Sequence, residues 1–151
     1  MILWRISNHN DLSGLGGERA DGRWHTAARG KRVVYLSEHP AVALVETLVI
    51  LRGNAALFPE KFQLLRLLVP DPVDVQEVGA VKDLESLGET QSVGDKWLAS
   101  GRSAILRVPS VPSPESWNYL LNPQHPKVFG VAIEWARSIT YNRRLFRIRE
   151  V

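Results

Sequence analysis

No cysteine occurs in the 151 residues, which excludes disulfides, iron–sulfur clusters, thiolate zinc sites and a cysteine nucleophile. No run approaches the ~18 uninterrupted apolar residues of a membrane span. The longest apolar stretch is cut by Glu46, so no membrane association is expected. The segment Met1 to Ile6 has no basic region followed by an apolar one; no signal peptide is visible, and the cytoplasm is the expected compartment. The four histidines, His9, His25, His39 and His125, lack metal-ligand spacing, and neither an HExxH nor a paired-carboxylate motif occurs, so no metal site is expected. A GxSxG nucleophile elbow is also missing. Gly14-Leu15-Gly16 resembles the start of a dinucleotide-binding fingerprint, but the third glycine position holds Arg19 and no strand directly precedes it.

What is present fits one soluble globular domain spanning residues 1–151, since the 44% hydrophobic and 23% charged content match ordinary folded proteins rather than disordered or fibrous ones. The net charge of +3 is uneven. Five arginines against Glu150 give residues 137–151 a charge of +4, leaving −1 for the rest. A basic edge of this kind argues against a body built to wrap nucleic acid.

The pattern of β-branched and aromatic runs predicts strands at Leu3 to Ile6, Arg32 to Ser37, Lys61 to Val69, Val73 to Val75, Ser103 to Val108, Val128 to Trp135 and Arg144 to Arg149. A helix is expected from Glu38 to Leu51, capped by Ser37 and closed at Gly53, and another from Gln91 to Ser100, capped by Thr90 and closed at Gly101. Asn8 to Gly22 reads as a glycine-rich loop, and Pro109 to Pro126 as a long proline-punctuated one of the sort that carries binding residues. Six or seven strands with two or three helices give an α+β domain with mainly antiparallel pairing.

Glu46 is the most informative residue. At helical spacing its neighbours are Val42, Ala43, Val49 and Ile50, so the carboxylate leaves an apolar face and needs a partner. A structural ion pair is the plainer account of such a residue. Arg5, in an apolar strand, and Arg23, beside Trp24, are the candidate partners, the Glu46 carboxylate being expected within reach of one or the other. If both enter one cleft, a single carboxylate leaves surplus positive charge for an anionic ligand. Taken singly, Arg5 also reads as an edge-strand arginine with a buried stem, and Arg23 as a loop arginine stacked on Trp24. Tyr35 alternates with Val34 and Leu36 and therefore faces away from them, either as a ring for stacking a ligand base or as a core tyrosine.

The combination Gly22-Arg23-Trp24, Val33-Val34-Tyr35-Leu36-Ser37-Glu38, Ala41, Ala43 and Glu46, then Val108-Pro109-Ser110, Asn118-Tyr119-Leu120-Leu121-Asn122-Pro123 and His125-Pro126 resembles the RES domain over nearly the whole chain. The resemblance implies an ADP-ribosyltransferase-like fold. It also implies the toxin of a bacterial toxin–antitoxin pair, with NAD consumed as substrate rather than held as cofactor. Such toxins hydrolyse or phosphorolyse NAD at the nicotinamide–ribose bond, or transfer its ADP-ribose to a protein. The implied partner is an Xre-like helix-turn-helix antitoxin, through which alone nucleic acid would be met. The site residues carried over are Arg5, Arg23, Tyr35, Glu46 and Ser110. In that reading Glu46, Arg23 and Tyr35 are catalytic; Arg5 and Arg23 hold the pyrophosphate, Tyr35 stacks on nicotinamide, and Ser110 bonds the ribose or amide. A non-enzymatic alternative is a basic interaction or nucleic-acid module using Arg147 and Arg149.

Overall fold

A computed structural model describes residues 1–71 and 73–146. One seven-stranded sheet organises it, formed by β1 (Ile2–Ser7), β2 (Val34–Ser37), β3 (Lys61–Leu68), β4 (Val75–Glu77), β5 (Ile105–Pro109), β6 (Trp117–Leu121) and β7 (Ala132–Thr140) in the order β4-β5-β6-β2-β1-β3-β7. Every neighbouring pair is antiparallel except β4 with β5. The helices are a single turn α1 (Gly16–Arg19), α2 (Pro40–Ile50) and α3 (Leu87–Ser100). The expected α+β class with mainly antiparallel pairing is what forms. None of the helices is long and apolar enough to cross a membrane, among the described residues.

Both faces of the sheet are covered. Leu3, Val34, Leu36, Leu65, Leu67, Ile105, Tyr119 and Leu121 form one core, while Leu106, Val108 and Leu120 pack with Trp24, Val33 and Trp97 in the other. Strand alternation sends Leu36 into the first and Tyr35 against the second, as the period of two requires. At the middle of the sheet β1 pairs with β3 over six residues but with β2 only at Trp4 and Ser37. The sheet therefore splits between β1 and β2 beyond that pair.

Several elements depart from the sequence reading. Residues 109–126 are not one loop, because Trp117–Leu121 forms β6 between β5 and β2. Flanking prolines masked a strand whose own residues are aromatic and aliphatic, and the true excursion is a short turn closed by Ser110 N–H donating to Ser116 O at 2.9 Å. Ser37 does not cap α2. His39 does, its Nδ1 accepting from Ala41 N–H at 3.1 Å, with Pro40 opening the helix where a missing N–H is harmless. Thr90 lies inside α3, which starts earlier and is capped by Ser86, although Gly101 ends it in the left-handed conformation as expected. Residues Arg143–Phe146 are a 3-10 turn rather than the start of a strand, and Arg147 and Arg149 lie outside the described residues.

Side chains of α3 hold the segment 22–26 at three backbone groups. Thr90 Oγ1 donates to Arg23 O at 2.6 Å, Gln91 Nε2 to Gly22 O at 3.0 Å, and Asp95 accepts from Thr26 N–H at 3.0 Å and from Thr26 Oγ1 at 2.6 Å. A side chain at Gly94 would overlap the Trp24 carbonyl, so the helix can approach only because that position has none. Burial works against the Asp95 charge, yet bonds from Thr26 and Lys31 hold its carboxyl below the usual range.

Two outcomes follow from this packing. Removing the carboxylate in Asp95→Ala should cost ~2–3 kcal/mol at neutral pH, the value of hydrogen bonds to a charged group. Because its folded pKa is depressed, that contribution is present above the ordinary Asp value and is lost as pH falls through the folded one. Urea unfolding should therefore show the gap to wild type closing in strong acid. Separately, α2 ends with Arg52 N–H donating to Val49 O at 3.0 Å and Gly53 N–H to Leu48 O at 2.8 Å, and two successive residues are left-handed there, Arg52 with φ 56° ahead of the expected Gly53 with φ 60°. Arg52→Gly should raise stability by up to ~1 kcal/mol by relieving that backbone, read as a melting temperature higher by a few degrees.

Candidate functional site

The Glu46 carboxylate is anchored by neutral donors. Its Oε1 accepts from Ser110 Oγ at 2.7 Å and from Asn118 Nδ2 at 2.6 Å. Asn118 is itself oriented by Ser37, whose Oγ donates to Asn118 Oδ1 at 2.7 Å. That bond fixes which end of the amide faces Glu46, because the oxygen is already engaged as acceptor. Three elements converge: α2 supplies Glu46, β2 supplies Ser37, and β6 with the turn before it supplies Asn118 and Ser110. Of the three serines in that turn, Ser110 reaches the carboxylate, while Ser113 and Ser116 bond each other at 3.0 Å.

The expected ion pair from Glu46 to Arg5 or Arg23 does not form. Glu46 has no cationic partner within ion-pairing distance among the described residues. The reason lies in strand geometry. Trp4 pairs with Ser37 and Ser37 with Asn118, so these share the face that Glu46 approaches. Arg5 alternates with Trp4 and leaves β1 on the other side. The apolar face of α2 is also only partly covered: Val42 and Ala43 are buried, whereas Val49 and Ile50 are 55% and 74% exposed. Glu46 sits half-buried at the border between them.

Arg5 spans the split in the sheet, its Nη1 donating to Tyr35 O at 3.3 Å. Its Nε is buried without a hydrogen-bond partner, and burial pushes its pKa down, opposed in part by the distant Asp11. This guanidinium has a buried donor without a partner and no carboxylate within ion-pairing distance among the described residues. Arg23 lies at the tip of a tight turn, 3.8 Å from an exposed Glu85 oxygen, a separation at which water and salt weaken the pair. Tyr35 is fixed at both ends, its carbonyl by Arg5 and its hydroxyl by Trp24 N–H at 3.1 Å and His25 Nδ1 at 2.7 Å, and burial pushes its phenol pKa up.

The site thus has two parts, a carboxylate cluster of Glu46, Ser110 and Asn118, and a cationic and aromatic part of Arg5, Arg23 and Tyr35. The link between them is β2, which carries Tyr35 and, two residues on, Ser37. An apolar groove of about 530 Å³ lined by Leu44, Phe62, Ile139 and Tyr141 contains none of these residues. No group of three or more His, Asp or Glu able to hold a metal ion gathers among the described residues. Ser37, Asn118 and His25 are not among the site residues expected from sequence. Asn118 would have stood out as the polar residue in an otherwise apolar strand had Trp117–Leu121 been read as one.

Comparison with known proteins adds a family. The model of the RES domain matches residues 2–144. A Pseudomonas putida protein named Toxin Res is 40% identical over 148 residues, covering 97% of this chain and 100% of that protein. The Prs ADP-ribosylating toxin of Sphingobium sp. is 35% identical over 159 residues, covering 96% of each. Among solved structures, the M.tuberculosis MbcT–MbcA toxin–antitoxin complex superposes with a TM-score of 0.74 at 19% identity, over 92% of this chain and 84% of the other. At that identity the superposition establishes the fold alone. The family match over nearly the whole length, together with the two sequence relatives, shows that this chain belongs to the RES domain family.

Proposed function

We propose that this protein is the toxin of a toxin–antitoxin pair and that it consumes NAD by cleaving the nicotinamide–ribose bond at the Glu46 cluster. The observation that carries the reading is the half-buried carboxylate held by Ser110 and Asn118 rather than by a cation. Both donors take the same oxygen, Oε1, and Oε2 has no hydrogen-bond partner among the described residues, which suits it to face a ligand.

The chemistry suits one carboxylate. Nicotinamide is bound to ribose as a cationic ring and departs as a neutral one, so no general acid is needed to protonate the leaving group. The second carboxyl group of an ordinary glycosidase has no counterpart to supply. Positive charge instead develops on the ribose as the bond breaks, and a preorganised carboxylate oxygen stabilises it. Ser110 and Asn118 keep that carboxylate in place through the reaction. Arg5, whose positive charge is not neutralised by a carboxylate among the described residues, serves the diphosphate together with Arg23, and the Tyr35 ring stacks on the nicotinamide. NAD is then a substrate, and no bound cofactor or metal is required.

The acceptor that takes the ribose is water or phosphate in this reading. Transfer of ADP-ribose to a protein is the second reading, favoured by the printed name of the Sphingobium relative. A cognate antitoxin holds the enzyme silent, which fits the structural neighbour being a toxin–antitoxin complex. The Xre-like helix-turn-helix class of that partner rests on the resemblance to the family. A substrate and a partner of these kinds fit a cytoplasmic activity.

Glu46→Gln, which keeps the side-chain shape, should lower nicotinamide release by at least ~100-fold while the melting temperature stays close to wild type. Wild-type turnover in that variant would remove Glu46 from the chemistry. Asn118→Ala should lower kcat by roughly 10-fold with KM little changed, since it loosens the carboxylate without touching the diphosphate arms. Label from the adenylate end of NAD separates the two acceptors: it ends in free ADP-ribose or its phosphate in the first reading, and on a macromolecule in the second.

A further inference from the structure

The activity proposed above uses Arg23 and Tyr35, but not the histidine that follows Arg23 by two residues and bonds Tyr35. His25 is buried, at 2% exposed. Its Nε2 lies 2.9 Å from Gly17 O and its Nδ1 lies 2.7 Å from Tyr35 Oη. A carbonyl can only accept, so Nε2 carries a hydrogen, and in the neutral ring Nδ1 is then the nitrogen with the lone pair. Tyr35 Oη already accepts from Trp24 N–H at 3.1 Å, and its own hydrogen points at Nδ1. A single proton arrangement satisfies the whole chain: Trp24 N–H to Oη, Oη–H to Nδ1, and Nε2–H to the Gly17 carbonyl.

This chain sits where the proposed anion arms meet. Gly22 N–H donates to His25 O at 3.1 Å, which makes Arg23 and Trp24 the tip of a two-residue turn with His25 as one of its closing pair. The space inside that closure is full, since a side chain on Gly22 would overlap the Tyr35 hydroxyl. At the other end of Tyr35 its carbonyl holds Arg5. We propose that His25 is a positioning residue: by accepting the Tyr35 hydroxyl hydrogen while tied to Gly17, it sets the ring plane of Tyr35 and the spacing between Arg23 and Arg5. The role rests on the NAD reading, and it predicts an effect on substrate binding more than on the bond-breaking step, because the Glu46 cluster is anchored by other residues.

The two ring nitrogens can be separated by substitution. Asn places its side-chain oxygen near the Nδ1 position, whereas Gln places its amide nitrogen near Nε2. His25→Asn therefore keeps an acceptor for Tyr35 and gives up Gly17, and His25→Gln does the reverse. His25→Gln should raise KM for NAD ~10-fold with a smaller change in kcat, the equivalent of one lost buried hydrogen bond, while His25→Asn stays within about threefold of wild type. A merely structural role would move both variants alike. Combining His25→Gln with Tyr35→Phe should add little beyond the worse single variant.

Nitrogen-15 spectra of the imidazole in the wild-type protein give a readout independent of activity and of variant folding. They should show hydrogen on Nε2 and a bare, hydrogen-bonded Nδ1; hydrogen on Nδ1 instead would overturn the proposal. Wild-type protein that neither binds nor cleaves NAD would overturn the NAD reading and the positioning role with it. Wild-type protein that cleaves NAD, set beside His25→Gln with unchanged KM, would overturn the His25 role alone.

Discussion

A half-buried carboxylate needs strong hydrogen bonds where no cation stands beside it, and among the described residues meeting that need at Glu46 draws together distant parts of this protein. Ser110 and Asn118 satisfy one oxygen, Ser37 orients Asn118, and these residues come from a helix, a central strand and a turn that are remote in sequence. Each bond to a charged group contributes ~1.5–3 kcal/mol, sufficient to hold a carboxylate at a half-buried position in place of an ion pair. An arginine beside Glu46 would stabilise it too, but would quench the charge that a cationic transition state needs. The arginines stand apart from Glu46, and in the proposed reaction NAD would bridge the two parts of the candidate site.

The sheet makes that separation possible. Because β1 and β2 meet at one residue pair and then part, the chain gains an opening in the middle of its sheet, and Arg5 bridges it through the Tyr35 carbonyl. A loop beside such an opening would ordinarily be mobile. Here α3 grips residues 22–26 through Thr90, Gln91 and Asp95 with Gly94 allowing close approach, so Arg23 is presented from a fixed backbone. The long helix thus positions a residue that it does not itself carry.

Much of this was legible in the residues. The α+β class, the strand leading directly into the Glu46 helix, the left-handed Gly101 and the facing of Tyr35 all follow from periodicity and capping. The partner of Glu46 did not. Helical spacing says that a carboxylate needs a partner, but not whether the partner is charged, and Ser37 and Asn118 lie 81 residues apart. Proline density around Trp117–Leu121 hid the strand that carries Asn118. The Arg5 expectation failed for a simpler reason: alternation with Trp4 puts it on the opposite side from the row that faces Glu46, which requires knowing that Trp4 pairs with Ser37.

The central claim is that the bond broken is the one between nicotinamide and ribose. The direct measurement is proton and phosphorus NMR of NAD incubated with the free chain, without partner. The account predicts that nicotinamide appears in equal amount to the NAD lost while the two diphosphate phosphorus signals remain coupled. NAD left intact, or cleavage between the two phosphates to give adenosine monophosphate and nicotinamide mononucleotide, would contradict it.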